Sequence, residues 1–311
     1  MFIDAHVHVS LNGDNAKTYR ERLLQDEKSA EEMIRKVFLA YKQRGIYALR
    51  DGGDNLDIHH LIRRVAKEEG IIYRTPLYGI YKKGFYGRLI GKPVESIQEI
   101  DDCITDLVKN QTDFIKVALS GMMSFNEYGH AGEIGFSVEE FKHIIERAHS
   151  ENLPVMVHVN TKKGIEMALK CGADSIEHGY YANEELLKGM KEKGTIWVPT
   201  LAPLGNIVYS NDERYKLEKK LIRKIFEEQC EKVKLAYDLG VEIAVGSDAG
   251  AYKVYHGSGF FDELIYLNKA GIKKNELMDM AFKNGMKALK ITKKELNDIE
   301  NRINEESWVS S

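Results

Sequence analysis

The sequence predicts a closed parallel α/β barrel of eight strand–helix units, and three observations carry that prediction. Eight short apolar runs alternate with segments of helical periodicity along the 311 residues. Ionisable side chains interrupt five of these runs at or near their C-terminal ends. The connections after the runs, notably 9–28, 80–95, 119–136 and 249–261, are long, whereas those leading from helix back into strand are only a few residues. Such asymmetry belongs to a barrel that builds its site on one face. An open doubly wound sheet is the competitor, but it usually carries a Gly-rich phosphate turn after the first strand, and "HVSLNGDN" is not one.

In chain order the strands are read from "MFIDAHVHV", "GIYALRD", "IIYRTPLYGI", "DFIKVAL", "PVMVHVN", "DSIEHG", "TIWVPTL" and "VEIAVGSD". Alternation in the first run places Asp4, His6 and His8 on one face and Ala5, Val7 and Val9 on the other. Between the runs, Ser29 with Glu32 and Ser137 with Glu140 fit Ser-x-x-Glu capping boxes. Gly45, Gly172, Gly194 and Gly240 stand where a helix stops and the next strand begins. There is no internal repeat, low-complexity tract or Pro/Ser linker, so one domain is expected over 1–311, with a polar, helix-like tail from about residue 292.

The bulk numbers suit a soluble globular chain: 30% charged and 43% hydrophobic residues leave room for a sizeable core. A formal charge of −3 gives little field to gather nucleic acid or an anionic membrane. Lys and Arg are scattered through helical stretches such as "EEMIRKVFLAYKQR", the pattern of solvated faces. Cys103, Cys171 and Cys230 are odd in number, widely spaced and without a Cys-x-x-Cys pair, which speaks against a disulfide framework or thiolate zinc site and for a reducing compartment. No apolar run is long enough to cross a bilayer, and no signal peptide is expected before a core strand that starts at once. A cytoplasmic location is expected, with a small molecule as partner; a homo-oligomer is neither required nor opposed by the composition.

The polar residues within the apolar runs form one set. His6 and His8 come from the first strand, Lys116 from "DFIKVA", His158 from "VMVHVN", His178 from "SIEHG" and Asp248 from "VGSDAG". Barrel closure brings all six to one mouth. Taken singly, each has a plain structural reading: a hydrogen-bonded core imidazole, a strand-end lysine reaching for solvent, an aspartate starting a turn. Taken together, four imidazoles and a carboxylate suit a divalent metal with open positions for water or substrate. An ammonium cannot bind a cation, but burial lowers a lysine's pKa and a neutral amine takes up carbon dioxide as a carbamate, an anionic ligand able to bridge two metals. Two Zn²⁺ against carbamate, hydroxide and Asp248 leave about one net positive charge, tolerable for polarising a carbonyl.

These motifs resemble the amidohydrolase superfamily, and within it the imidazolonepropionase-related branch with prolidase-like and Xaa-Arg-type dipeptidases. The likeness rests on "FIDAHVH", "ALRDGG", "FIKVALSGMM", "FSVEEFKHIIERAHSENLPVMVHVNTKKGIEMALKCGADSIEHG", "GTIWVPTL", "VGSDAG" and "ELMDMAFKNGMKALKI", from residue 1 to about 291. The resemblance implies a (β/α)8 TIM barrel in which His6, His8 and Asp248 hold a buried metal and His158 and His178 a more exposed one. Carboxylated Lys116 would bridge the two in this binuclear centre. It further implies hydrolysis of an amide-type C–N bond (dipeptide, N-acyl amino acid or cyclic amide) by attack of a bridging hydroxide, with Asp248 as general base and then general acid. Two departures stand out. Relatives usually carry a small β-sandwich from segments flanking the barrel, and a bare barrel is expected here. Asn160 occupies a position where many relatives have another His.

Tyr128 and His130 in the loop after Lys116, Asn160, Tyr180 and Tyr181 after His178, and His256 after Asp248 are the candidate substrate contacts. Arg50 is read as meeting a substrate carboxylate or pairing with Asp51. His59, His60, His143 and His149 fall within helices following the second and fourth strands and read as structural. A mononuclear deaminase on the same barrel is the nearer alternative, although "HVNT" lacks the Glu of the His-x-x-Glu such enzymes carry. A barrel that binds metal or ligand without turnover is the other.

Overall fold

β1 (Phe2–Val7) buries Ile3, Ala5 and Val7 completely and pairs in parallel with β2 (Ile46–Asp51), which pairs with β3 (Ile72–Arg74). The computed structural model describes residues 1–211 and 213–309. Past β3, the third expected run continues into β4 (Gly79–Lys82), and Asp113 N donates to Thr75 O at 3.1 Å across the join to the next strand. β4 lies between β5 (Gly91–Val94) and β6 (Ile115–Ala118), so part of the loop expected at 80–95 is a paired strand. β7 (Val155–Val159), β8 (Ser175–His178) and β9 (Ile196–Val198) follow in parallel order.

The eighth run forms only isolated bridges, yet it is bonded on both sides. Trp197 N donates to Glu242 O at 2.8 Å and Ala244 N to Trp197 O at 2.9 Å; on the other side Ala5 N donates to Val245 O at 2.8 Å and Asp248 N to His6 O at 2.7 Å. Residues 243–249 therefore close the ring between β9 and β1. Chain identity of the staves matches all eight expected runs.

One expectation is corrected in β1. The register against β2 slips between Asp4 and Val7, so strict alternation fails there. Asp4 leaves the face of His6 and His8. Its carboxylate instead accepts from Ser247 N at 2.8 Å and Ser247 Oγ at 2.6 Å, tying β1 to the closing stave. Inside the ring, Ile3, Ala5, Ala48, Val198 and Ala244 pack with Leu289 and Ile291, while a larger apolar cluster joins the outer strand faces to the helices.

The helices obey their local signals, with one exception. Ser137 and Glu140 make the expected capping box, Ser137 Oγ accepting from Glu140 N at 3.2 Å and Glu140 Oε2 from Ser137 N at 3.0 Å. Gly172, Gly194 and Gly240 end their helices in the left-handed conformation. Ser29, however, is not a cap: the helix Glu27–Lys42 starts earlier, at Asp26, whose Oδ1 accepts from Ser29 N at 2.8 Å. An aspartate one turn upstream outcompetes the serine. The C-terminal tail is the helix Lys293–Val309, and the last two residues of the 292–311 stretch lie outside the described residues. Among the described residues no helix is long and apolar enough to cross a membrane. Asp26→Ala is expected to lower the unfolding free energy by about 1 kcal/mol, while Ser29→Ala stays within about 0.5 kcal/mol of the parent; denaturant midpoints of the two variants check the assignment.

Candidate metal centre and active site

The loops at the C-terminal ends of the strands surround a cavity of about 220 Å³ lined by His8, Lys116, His158, Asn160, His178 and Asp248 among others. His6 lies just beneath it, fully buried. Strand ends position these groups. Asp248 and His178 sit at φ +57° and +66°, a left-handed backbone that side chains other than glycine seldom adopt. Such strain, about 1–3 kcal/mol per residue, persists where the surroundings over-determine it, and it clusters at functional sites. Gly52, after β2, is required by close approach: a Cβ there would stand 2.1 Å from His8 Cε1.

Three candidate ligand atoms converge. His6 Nε2 is 3.3 Å from His8 Nε2 and 3.6 Å from Asp248 Oδ1, and His8 Nε2 is 3.4 Å from the same oxygen. Ligands held at about 2.0–2.2 Å in tetrahedral directions stand about 3.3–3.6 Å apart, so these atoms outline a gap of the size of a divalent metal. The other two imidazoles adjoin them. His178 is 4.5 Å from His158 and 5.1 Å from His6 between ring centroids.

Charge reinforces the fit. Burial, aided by neighbouring positive groups, pushes His8 and His158 down to about 3 and holds His6 and His178 well below the ordinary imidazole value. Four rings are thus neutral, with lone pairs available for metal. Burial raises the Asp248 carboxyl to about 7, an unfavourable placement that a nearby cation relieves. Lys116 is 1% exposed, its Nζ has no hydrogen-bond partner, and burial lowers it to about 8. An orphaned, readily neutral amine beside four neutral imidazoles fits the carbamate chemistry expected of it.

A second layer orients the first. His6 Nδ1 is 2.6 Å from Glu177 Oε2, which fixes the proton on Nδ1 and leaves Nε2 bare toward the gap. Glu177 Oε1 in turn accepts from Arg50 Nη2 at 2.9 Å and Ser175 Oγ at 2.7 Å, and Arg50 Nε donates to Ala5 O at 2.8 Å. Arg50 therefore meets neither a substrate carboxylate nor Asp51; Asp51 instead accepts from Val9 N at 2.9 Å and Gly53 N at 2.7 Å, shaping the turns beside His8. His178 Nδ1 is 2.6 Å from Thr200 Oγ1. Glu177, Arg50 and Thr200 were not singled out as orienting groups by sequence; the one signal for Glu177 is a carboxylate inside an apolar strand next to His178.

The loop candidates divide. Asn160 and Tyr180 line the cavity: Asn160 Nδ2 donates to Gly121 O at 3.1 Å and its buried Oδ1 is unpartnered, while Tyr180 OH donates to Thr200 O at 2.8 Å. Tyr128, His130, Tyr181 and His256 are not among the lining residues. Tyr128 OH donates to Glu228 and Tyr181 OH accepts from Gly129 N, so both rings pack on a neighbouring surface hollow; His130 is exposed. His256 has both ring nitrogens engaged, by Tyr41 OH at 3.0 Å and Leu11 O at 2.8 Å, which makes it a structural clasp. Sequence reasoning missed Tyr86, whose ring stacks on His158 at 4.7 Å.

Comparison with known proteins identifies the fold and the family. Ochratoxinase of Aspergillus niger is 31% identical over 175 residues, 55% of this chain and 36% of that protein, so the matched part spans about a third of the relative. Imidazolonepropionase of Shewanella piezotolerans is 24% identical over 222 residues, 62% of this chain and 52% of that one. Among solved structures, a Xaa-Pro dipeptidase with bound methionine in its active site superposes with a TM-score of 0.77 at 22% identity, covering 93% of this chain and 75% of the other. The A. niger ochratoxinase crystal structure gives 0.76 at 23% identity, covering 92% and 71%. These likenesses establish the TIM-barrel fold of that group. The sequence profile of the Amidohydrolase family matches residues 2–296, and the chain belongs to the amidohydrolase family.

Proposed function

We propose that the protein is a metal-dependent hydrolase of an amide-type C–N bond in a small molecule. The observation that carries this reading is the convergence of His6 Nε2, His8 Nε2 and Asp248 Oδ1 within 3.3–3.6 Å, beside the orphaned Lys116 amine. His6, His8 and Asp248 would hold one divalent ion, His158 and His178 a second, and Lys116 as carbamate would serve both; zinc suits this mixed imidazole and carboxylate set. Bound metal would supply Lewis acidity for the carbonyl and activation of water.

The chain's own groups do the rest. The neutral Lys116 amine would attack carbon dioxide: an N–C bond forms, one C=O π pair moves onto oxygen, and a proton leaves the nitrogen for solvent, giving the carbamate anion. Glu177 holds the His6 proton on Nδ1 throughout. Asp248, raised toward neutrality by burial, is poised to take a proton from the attacking water at a carboxylate oxygen and return it to the departing nitrogen. The names of the relatives, an ochratoxinase and a Xaa-Pro dipeptidase, support an amide substrate.

Asp248→Asn is expected to lower turnover by about a thousandfold or more while metal stays bound in good part; a variant of near-parental activity would overturn the assignment. Lys116→Ala should lose metal, read by elemental analysis, with partial restoration by a short carboxylic acid that supplies the missing anion. Glu177→Gln should weaken metal affinity by about 10–100-fold, measured by competition with a chromophoric chelator, because it frees the His6 ring and strands the Arg50 charge.

A further inference from the structure

Beyond the ligand cluster, most of the cavity wall is aliphatic or aromatic; Asn160 is its one amide, and Tyr86, Tyr180, Tyr215 and Tyr252 are its tyrosines. Met123, Phe125, Leu204, Ile207, Tyr215 and Tyr252 supply much of it, drawn from the loops after β6 and the closing stave and, after β9, from the helix Ala202–Tyr209 and the turn that follows it. The rings interlock edge to face, Phe125 on Tyr215 at 5.2 Å and Tyr215 on Tyr252 at 5.7 Å. Leu89 and Met122 extend the apolar surface outward to the rim, where they are 53% and 58% exposed. Among the described residues, the only ionisable side chains in the lining besides the neutral imidazoles and the tyrosines are Lys116 and Asp248, both assigned above to the proposed centre. The Arg214 guanidinium is not in the lining; it stacks over the Tyr252 and Tyr215 rings, 4.4 and 5.3 Å from their centroids.

A free dipeptide or an N-acyl amino acid carries a carboxylate two bonds from the scissile nitrogen, and a dipeptide adds an ammonium on the acyl side. Among the described lining residues outside the centre, such a charge meets the Asn160 amide and tyrosine rings but no opposite charge, and a buried charge without one is strongly disfavoured. An apolar cavity of about 150 Å³ accommodates a benzene ring, so the present one takes a ring and a planar amide together. From this lining we infer that the substrate is an uncharged amide flanked by an aromatic or branched apolar group, with no free carboxylate or ammonium next to the scissile bond. This preference rests on the hydrolase reading for its chemistry, but not for its binding.

The test uses zinc-loaded wild-type protein and four ketomethylene isosteres of Phe-Leu, which cannot be cleaved: both ends free, each end blocked in turn, and both blocked. Calorimetric titration should show the doubly blocked isostere binding about 30-fold or more tightly than the free one. Equal or tighter binding of the free isostere, or binding of none below about 10 mM, overturns the inference. Met123→Lys should narrow the gap for the isostere with a free carboxylate by about tenfold; an unchanged ratio means that this wall does not face the ligand. Hydrolysis of the four parent amides is assayed alongside. Cleavage of the free dipeptide as fast as the blocked one overturns the preference and leaves the hydrolase intact. Selective binding of the blocked isostere without cleavage of any amide supports the preference and overturns the hydrolase.

Discussion

The contact on which everything else depends is the seam between the first strand and the last stave. Four backbone and side-chain hydrogen bonds, from Ala5, Asp248 and Ser247, join segments 240 or more residues apart in sequence. The seam does more than close a ring. The bond from Asp248 N to His6 O sets the height of the carboxylate against the two imidazoles, so ring closure and the placement of these three side chains are one constraint. Asp4 serves the seam from the outer face, and the slip in β1 is what lets His6 and His8 point inward while Asp4 points away.

Behind the seam runs a buried relay from Arg50 through Glu177 to His6. Buried ion pairs are poor sources of net stability, since desolvation consumes much of the attraction. Their worth here lies in direction. One carboxylate satisfies a guanidinium and a serine hydroxyl with one oxygen and fixes an imidazole tautomer with the other. Arg50 also anchors to Ala5 O, which couples the relay to the strand that carries His6 and His8.

The fold was legible because eight runs were short, apolar and each followed by helical periodicity. The gathering of His6, His8, Lys116, His158, His178 and Asp248 at one cavity was legible because an ionisable side chain in an apolar strand has few destinations. Other features depend on contacts that no local pattern encodes. The slip in β1 has no glycine to advertise it, and Arg50 looked committed to its neighbour Asp51 when its partner is 127 positions away. Loop side chains were least legible: Tyr128, Tyr181 and His256 are the right chemical types in the right loops, yet each is taken by a partner outside the cavity. Conversely Phe125, Tyr215 and Tyr252 face inward only because three separate loops interlock.

The left-handed backbones at His178 and Asp248 set stability and chemistry against each other. Glycine would relax both positions, and a search guided by thermal robustness alone would favour it there. The same exchanges erase the imidazole and the carboxylate. Selection for sturdiness would therefore dismantle this centre from the residues it can least spare, and tolerance of conformational tension is a condition for keeping it.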